Sequence, residues 1–207
     1  MRKLYCKYLK RVLDIVLSVL GIVVLIIPMG VVSILIKIDD PGPVMFRQRR
    51  IGLHKSEFAI FKFRTLPVSL PHDVPTHQFS QWSSLSRFQK FLRRYAIDEL
   101  PQLFNILFGQ MSVVGPRPAL WNQYDLIAER DKYGANDVKP GLTGWAQING
   151  RDRLEISDKA KFDGEYAERI SFLFDCRCFF GTIVKLLKAD GVVEGDTERK
   201  DKEKTEG

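Results

Sequence analysis

Between Asp14 and Lys37 the chain carries no charge: the run Ile15 to Ile36 is apolar apart from two serines. About 20 such residues are enough to cross a bilayer as helix, so this segment predicts membrane attachment before anything else is read. It exceeds the apolar core of about 7 to 15 residues usual in a secretory signal peptide, and no Ala-x-Ala cleavage site follows. The segment is therefore expected to remain in the mature protein. Arg2, Lys3, Lys7, Lys10 and Arg11 precede it, and Lys37, Arg47, Arg49 and Arg50 follow it. Basic flanks stay on the cytoplasmic side, so a single straight span would strand one cluster on the wrong face. Pro28, with Gly30 close behind, removes a backbone donor near mid-run and predicts a kink. A re-entrant hairpin broken at Pro28 satisfies both flanks; a tilted spanning helix that tolerates its proline is the alternative.

The remainder of the 207 residues is long enough for one catalytic unit. We divide the chain into a basic flank and re-entrant helix (1–38), a cytosolic catalytic domain (39–193) and a charged, disordered tail (194–207). The net charge of +7 suits anionic partners without choosing among lipid headgroups, nucleotides and nucleic acid. Cys6, Cys176 and Cys178 are odd in number and lack metal-site spacing, which fits reduced thiols facing the cytosol.

After the turn Asp39-Asp40-Pro41-Gly42-Pro43, the segments Val44–Gln48 and Phe58–Arg64 predict a small β-hairpin turning around Gly52 to Lys55. Residues 67–84 read as loop, and His72 and His77 within it are solvated rather than metal-binding. Leu85, Phe88, Phe91, Leu92 and Tyr95 recur at helical spacing with Arg87, Lys90, Arg93 and Arg94 between them. Such a helix can face a core or lie at a membrane surface. A second aromatic helix is expected from Phe162 through Leu187, and it can do either as well. The fold class is thus α+β, mostly helical, with amphipathic interfacial helices.

The residues richest in chemistry run from Ala96 to Gly109, followed by Gly115-Pro116-Arg117-Pro118. Asp98 and Glu99 open a helix that Gly109 closes. Helix N-termini gather anions, phosphate included. Asp98 as a plain N-cap is the alternative, but the third helical residue would then be Pro101, which has no N–H to give.

At these residues the chain resembles the monotopic polyprenyl-phosphate phosphoglycosyl transferases, the bacterial sugar transferases. The likeness runs from Lys10-Arg11-Val12-Leu13-Asp14 through Pro41-Gly42-Pro43-Val44, Lys62-Phe63-Arg64-Thr65, Asp98-Glu99-Leu100-Pro101-Gln102-Leu103 and Gly115-Pro116-Arg117-Pro118 to the stretch Lys139–Arg151 and the aromatic helix. It implies that Asp98 attacks the sugar-bearing phosphate of a UDP-sugar, releasing UMP. The aspartyl phosphosugar then passes to polyprenyl (undecaprenyl) phosphate, with Glu99 as base or acceptor-positioning group. It further implies Mg2+ with Asp98 as its protein ligand, phosphate contacts from Lys62, Arg93 and Arg117, and a loop stiffened by Pro116 and Pro118. Gln147, Asn149 and Arg151 are added as site candidates. The family topology is a re-entrant hairpin broken at a central proline, here Pro28, at the inner membrane with the catalytic domain in the cytosol. Arg11 and Asp14, three residues apart, are expected to pair at the membrane edge.

This chain has Tyr95-Ala96 where many relatives place a serine or threonine before the Asp-Glu pair, and Leu66 where many have methionine. It resembles the minimal catalytic form. A membrane-anchored nucleic-acid binder leaves Asp98-Glu99 and the proline-flanked Arg117 unexplained, and no nucleic-acid-binding motif is present. A phosphatase working through an aspartyl phosphate and a non-catalytic scaffold are the other rivals. The donor sugar and the oligomeric state are not legible in the sequence.

Overall fold

The computed structural model describes residues 4–66, 85–150 and 153–188. The 67–84 loop, Arg151 and the charged tail lie outside the described residues. Most of the described residues are helical, and among them are two small two-stranded sheets and one long apolar helix at the N-terminal side.

A π-helical turn, Tyr5–Leu9, leads into α1, Lys10–Asp39. This helix is long and apolar enough to cross a membrane. It continues as helix through Pro28. One proline removes a single intrahelical bond, and packing holds the turns around it: Leu25, Met29, Val32 and Ile36 sit with Phe63 and Leu92 in one cluster. The opposite face is bare, with Val23, Ile27 and Ile34 all more than 60% exposed. A continuous exposed apolar stripe of this length marks a surface meant for something other than water.

Both ends of α1 are tied to the same globular body. Near its start, Asp14 accepts bonds from Ser112 Oγ (2.9 Å) and the Val113 amide (2.8 Å). Arg11 donates to the carbonyls of Ile106 (2.6 Å) and Leu107 (2.9 Å). Arg11 and Asp14 thus each bond a different element, while the Arg11 charge still acts on the Asp14 carboxylate. At the far end, Asp40 pairs with Arg64 (2.8 Å) and Asp39 accepts from Ser86 Oγ (2.8 Å).

Strands β1 (Met45–Ile51) and β2 (Glu57–Phe63) form the expected hairpin, paired from Met45↔Phe63 to Ile51↔Glu57. Helix α2 (Arg87–Arg94) starts at Ser86 with a reciprocal capping box: Ser86 Oγ accepts from the Gln89 amide while Gln89 Oε1 accepts from the Ser86 amide. Its Leu92 is fully buried, whereas Phe91 is half exposed and its ring meets that of Tyr95 at 5.0 Å. The helix thus serves a core and keeps an exposed aromatic edge. Ser86→Ala should lower stability by about 1 kcal/mol, read as an earlier urea midpoint at unchanged slope in detergent. An unaltered midpoint would mean that the cap contributes nothing.

Asp98 and Glu99 do not open an α-helix. They lie in a 3-10 turn, Ile97–Glu99, entered through a left-handed Ala96 (φ 53°), and α3 (Gln102–Leu107) begins only after Pro101. Asp98 makes no cap, so the capping alternative falls away. Gly109 ends the segment at φ +83°. The parallel pair β3 (Ser112–Val114) and β4 (Gly141–Thr143) is drawn together where Gly115 meets Gly141. A Cβ on Gly141 would stand 2.1 Å from the Gly115 amide nitrogen, which permits no side chain. Helices α4 (Tyr124–Asp131), α5 (Trp145–Ile148), α6 (Ile156–Arg169) and α7 (Phe172–Lys188) complete the fold. The single aromatic helix expected from 162 to 187 is in fact two, broken at Ile170 and Ser171.

Candidate active site

Four of the expected residues converge. Lys62, near the end of β2, reaches Glu99 Oε1 at 2.8 Å. Arg117 reaches the same carboxylate with both terminal nitrogens, 2.6 Å to Oε1 and 3.2 Å to Oε2. Glu99 is therefore engaged by two cations. Asp98, one residue away and equally buried, accepts no hydrogen bond among the described residues. Arg93 donates to Thr65 Oγ1 (3.4 Å), and its charge also acts on Asp98.

Burial is the dominant influence on both ionisable groups at the centre. It pushes the Asp98 carboxyl above the usual carboxylate range; Lys62, Arg93 and Arg117 oppose that shift and Glu99 adds to it. Burial likewise lowers the Lys62 ammonium, with Glu99 as the main restoring charge. A desolvated carboxylate without donors, beside a lysine and two arginines, is equipped to attack an anionic phosphorus.

The residues supporting this centre carry no mark in the sequence. Asn105, completely buried on α3, accepts from the Phe61 amide (2.9 Å) and donates to the Ala59 carbonyl (2.8 Å), pinning β2 beside Lys62 to the helix that follows Glu99. Arg130 on α4 pairs with Asp163 on α6 at 2.6 Å and also donates to the Arg117 carbonyl (2.9 Å). Arg50 donates to the Pro118 carbonyl (2.9 Å). The Pro116-Arg117-Pro118 loop is thus held by two arginines as well as by its prolines. Sequence spacing does not link Arg130 to Asp163, since they come from separate helices.

A cleft of about 230 Å3 opens beside Glu99 and Arg117, with Leu142, Gln147, Phe179 and Ile183 among its walls. Gln147 donates to the Leu142 carbonyl (2.9 Å), and its Oε1 is buried without a partner among the described residues. Asn149, by contrast, is exposed and donates to the Trp145 carbonyl, closing α5, so the structure does not bring it to the cleft.

The family model described as bacterial sugar transferase matches residues 5–189. The chain belongs to the bacterial sugar transferase family. It is 41% identical over 187 residues to the UDP-glucose:undecaprenyl-phosphate glucose-1-phosphate transferase of Escherichia coli (strain K12), an alignment covering 86% of this chain and 40% of that relative. It is 36% identical over 193 residues to the UDP-N-acetylgalactosamine-undecaprenyl-phosphate N-acetylgalactosaminephosphotransferase of Aeromonas hydrophila, covering 89% and 45%. It is also 37% identical over 157 residues to the uncharacterized sugar transferase EpsL of Bacillus subtilis (strain 168), covering 76% of each chain. The chain thus spans less than half the length of the first two relatives. Their shared part includes the stretch that carries Lys62, Asp98, Glu99 and Arg117 in this family member.

Proposed function

We propose that this chain transfers a sugar-1-phosphate from a UDP-sugar to undecaprenyl phosphate, releasing UMP and starting a glycan at the membrane. The observation that carries the reading is the division of labour between adjacent carboxylates: Glu99 is committed to Lys62 and Arg117, and Asp98 is left without a donor. An Asp98 oxygen attacks the sugar-bearing phosphorus, a P–O bond to Asp98 forms, and the bond to the UMP oxygen breaks. A phosphate oxygen of the acceptor then attacks the same phosphorus, forming the diphosphate and returning the Asp98 carboxylate. Covalent relay separates one displacement between two anions into two steps.

Lys62 and Arg117 steady the phosphoryl oxygens, and Arg93 lies within electrostatic reach. The donor set suits a magnesium ion held mainly by substrate oxygens, because Asp98 offers one unoccupied carboxylate and Glu99 offers none. When bound, that ion neutralises the diphosphate as it cleaves.

Membrane seating follows from α1. A helix fastened at residues 11–14 and at residues 39–40 to one body supports a re-entrant path in the cytoplasmic leaflet, with the bend placed at Pro28 by its missing backbone donor and the catalytic body in the cytosol. The relatives' names supply the donor panel: UDP-glucose, UDP-N-acetylgalactosamine and UDP-galactose. The full chain, in detergent with magnesium and undecaprenyl phosphate, should release UMP with one of these or a related donor and yield a lipid-linked sugar. Neither product from any UDP-sugar would remove the reading.

A further inference from the structure

We propose that the cleft beside Glu99 and Arg117 receives the phosphate-proximal isoprene units of the acceptor lipid, with α7 as its outer wall. The inference rests on the transferase reading and assigns one substrate to one surface. The cleft is walled largely by apolar side chains, Leu142, Ile148, Phe179 and Ile183 among them, and its lining also includes Glu99, Arg117 and Lys185. A mostly apolar cleft with Arg117 in its wall matches an amphiphile whose phosphate is its only charged part. Two threonines in the wall, Thr143 and Thr182, bond each other, and Thr182 also donates to the Cys178 carbonyl. Both hydroxyl protons are thereby engaged within the wall.

The surface of α7 supports the same occupant. Phe179 and Ile183 line the cleft and are 38% and 41% exposed, so its wall continues onto that surface. There Phe180 and Leu187 stand 62% and 80% exposed, beside Val184. An exposed apolar helix face of this kind suits contact with a lipid tail. The volume, about 230 Å3, is far below that of a whole undecaprenyl chain, so only the first units enter and the rest remain in the membrane.

The second step then has a defined approach. Arg117 receives the acceptor phosphate next to Asp98, where its oxygen attacks the aspartyl-bound phosphorus and the Asp98 oxygen leaves as carboxylate.

Ile183→Trp fills the cleft with a larger side chain. We expect the KM for undecaprenyl phosphate to rise about tenfold, the equivalent of one lost side-chain contact. Exchange of labelled UMP into the UDP-sugar, which requires Asp98 but no acceptor, should persist. A raised KM for the UDP-sugar with an unchanged acceptor KM would overturn the proposal and give the cleft to the donor. Farnesyl phosphate bearing a terminal diazirine tests the native chain independently of any folding defect. Labelling should fall on the walls around Leu142 and Phe179 to Ile183 and be competed by undecaprenyl phosphate. Labelling elsewhere, or competition by the UDP-sugar alone, would refute the assignment. Absence of both exchange and transfer in the native chain would instead sink the transferase reading itself.

Discussion

Asp98→Asn should abolish UMP release, lowering it by roughly 10⁴-fold or more, as loss of a covalent nucleophile does. The same substitution should leave the fold intact and stabilise it at neutral pH in magnesium-free buffer. Burial raises the Asp98 carboxyl above its ordinary range, so the folded chain holds that proton more tightly than the unfolded chain. Above the unfolded value, about 3.9, ionisation therefore works against folding. An amide of equal shape carries no such penalty. The advantage of asparagine should be present at pH 7 and shrink as pH falls toward 4. A dead enzyme that melts later than the native one would locate Asp98 as a residue maintained for chemistry at the expense of stability. Undiminished UMP release would eliminate the covalent route while leaving transfer itself open.

Glu99→Ala is expected to fail in the opposite manner. Glu99 Oε1 accepts from Lys62 at 2.8 Å and Arg117 at 2.6 Å, and the carboxylate is buried. Its removal leaves Lys62 and Arg117 repelling each other with Asp98 as the remaining carboxylate beside them. Breaking a buried pair by deleting one partner costs about 3–5 kcal/mol, and the partial exposure of Arg117 places this case at the low end. Activity should fall by about 10²–10³-fold, the loss typical of a displaced electrostatic clamp. Glu99→Gln keeps the shape and one acceptor, so it should recover much of the stability and little of the rate. If Glu99→Ala melted and turned over as the native chain does, the cation pair would have no organising role.

The two experiments probe features of unequal legibility. Asp98, Glu99, Lys62 and Arg117 could be singled out from the chain because each sits in a contiguous motif, and the fold brings them to one point. The hairpin strands were legible from their branched and aromatic residues, and β1 simply runs on to Ile51. The 3-10 turn at Asp98 was not, since an Asp-Glu pair before a proline fits a helix start equally well; Ala96 in the left-handed region decides the matter. The split between α6 and α7 is not legible in the sequence because aromatic spacing continues across Ile170, although the helical backbone does not. The parallel β3–β4 contact depends on two glycines brought together from distant segments. Arg130, Asp163 and Asn105 act through partners far away in sequence, which no local pattern encodes.

In the proposed re-entrant seating, the fastening of α1 at both ends would set how high the reaction stands above the lipid. A catalytic body hung from one end of a span could swing and drift on its tether. A helix riveted through Arg11 and Asp14 on one side and Asp39 and Asp40 on the other behaves as a strut. Asp98 would then ride at a constant stand-off from the bilayer, and the search for a lipid acceptor would reduce to lateral diffusion in a plane. Height, set by four polar contacts far from the chemistry, becomes a property that a substitution at residue 14 or 40 could detune without touching a single reacting atom.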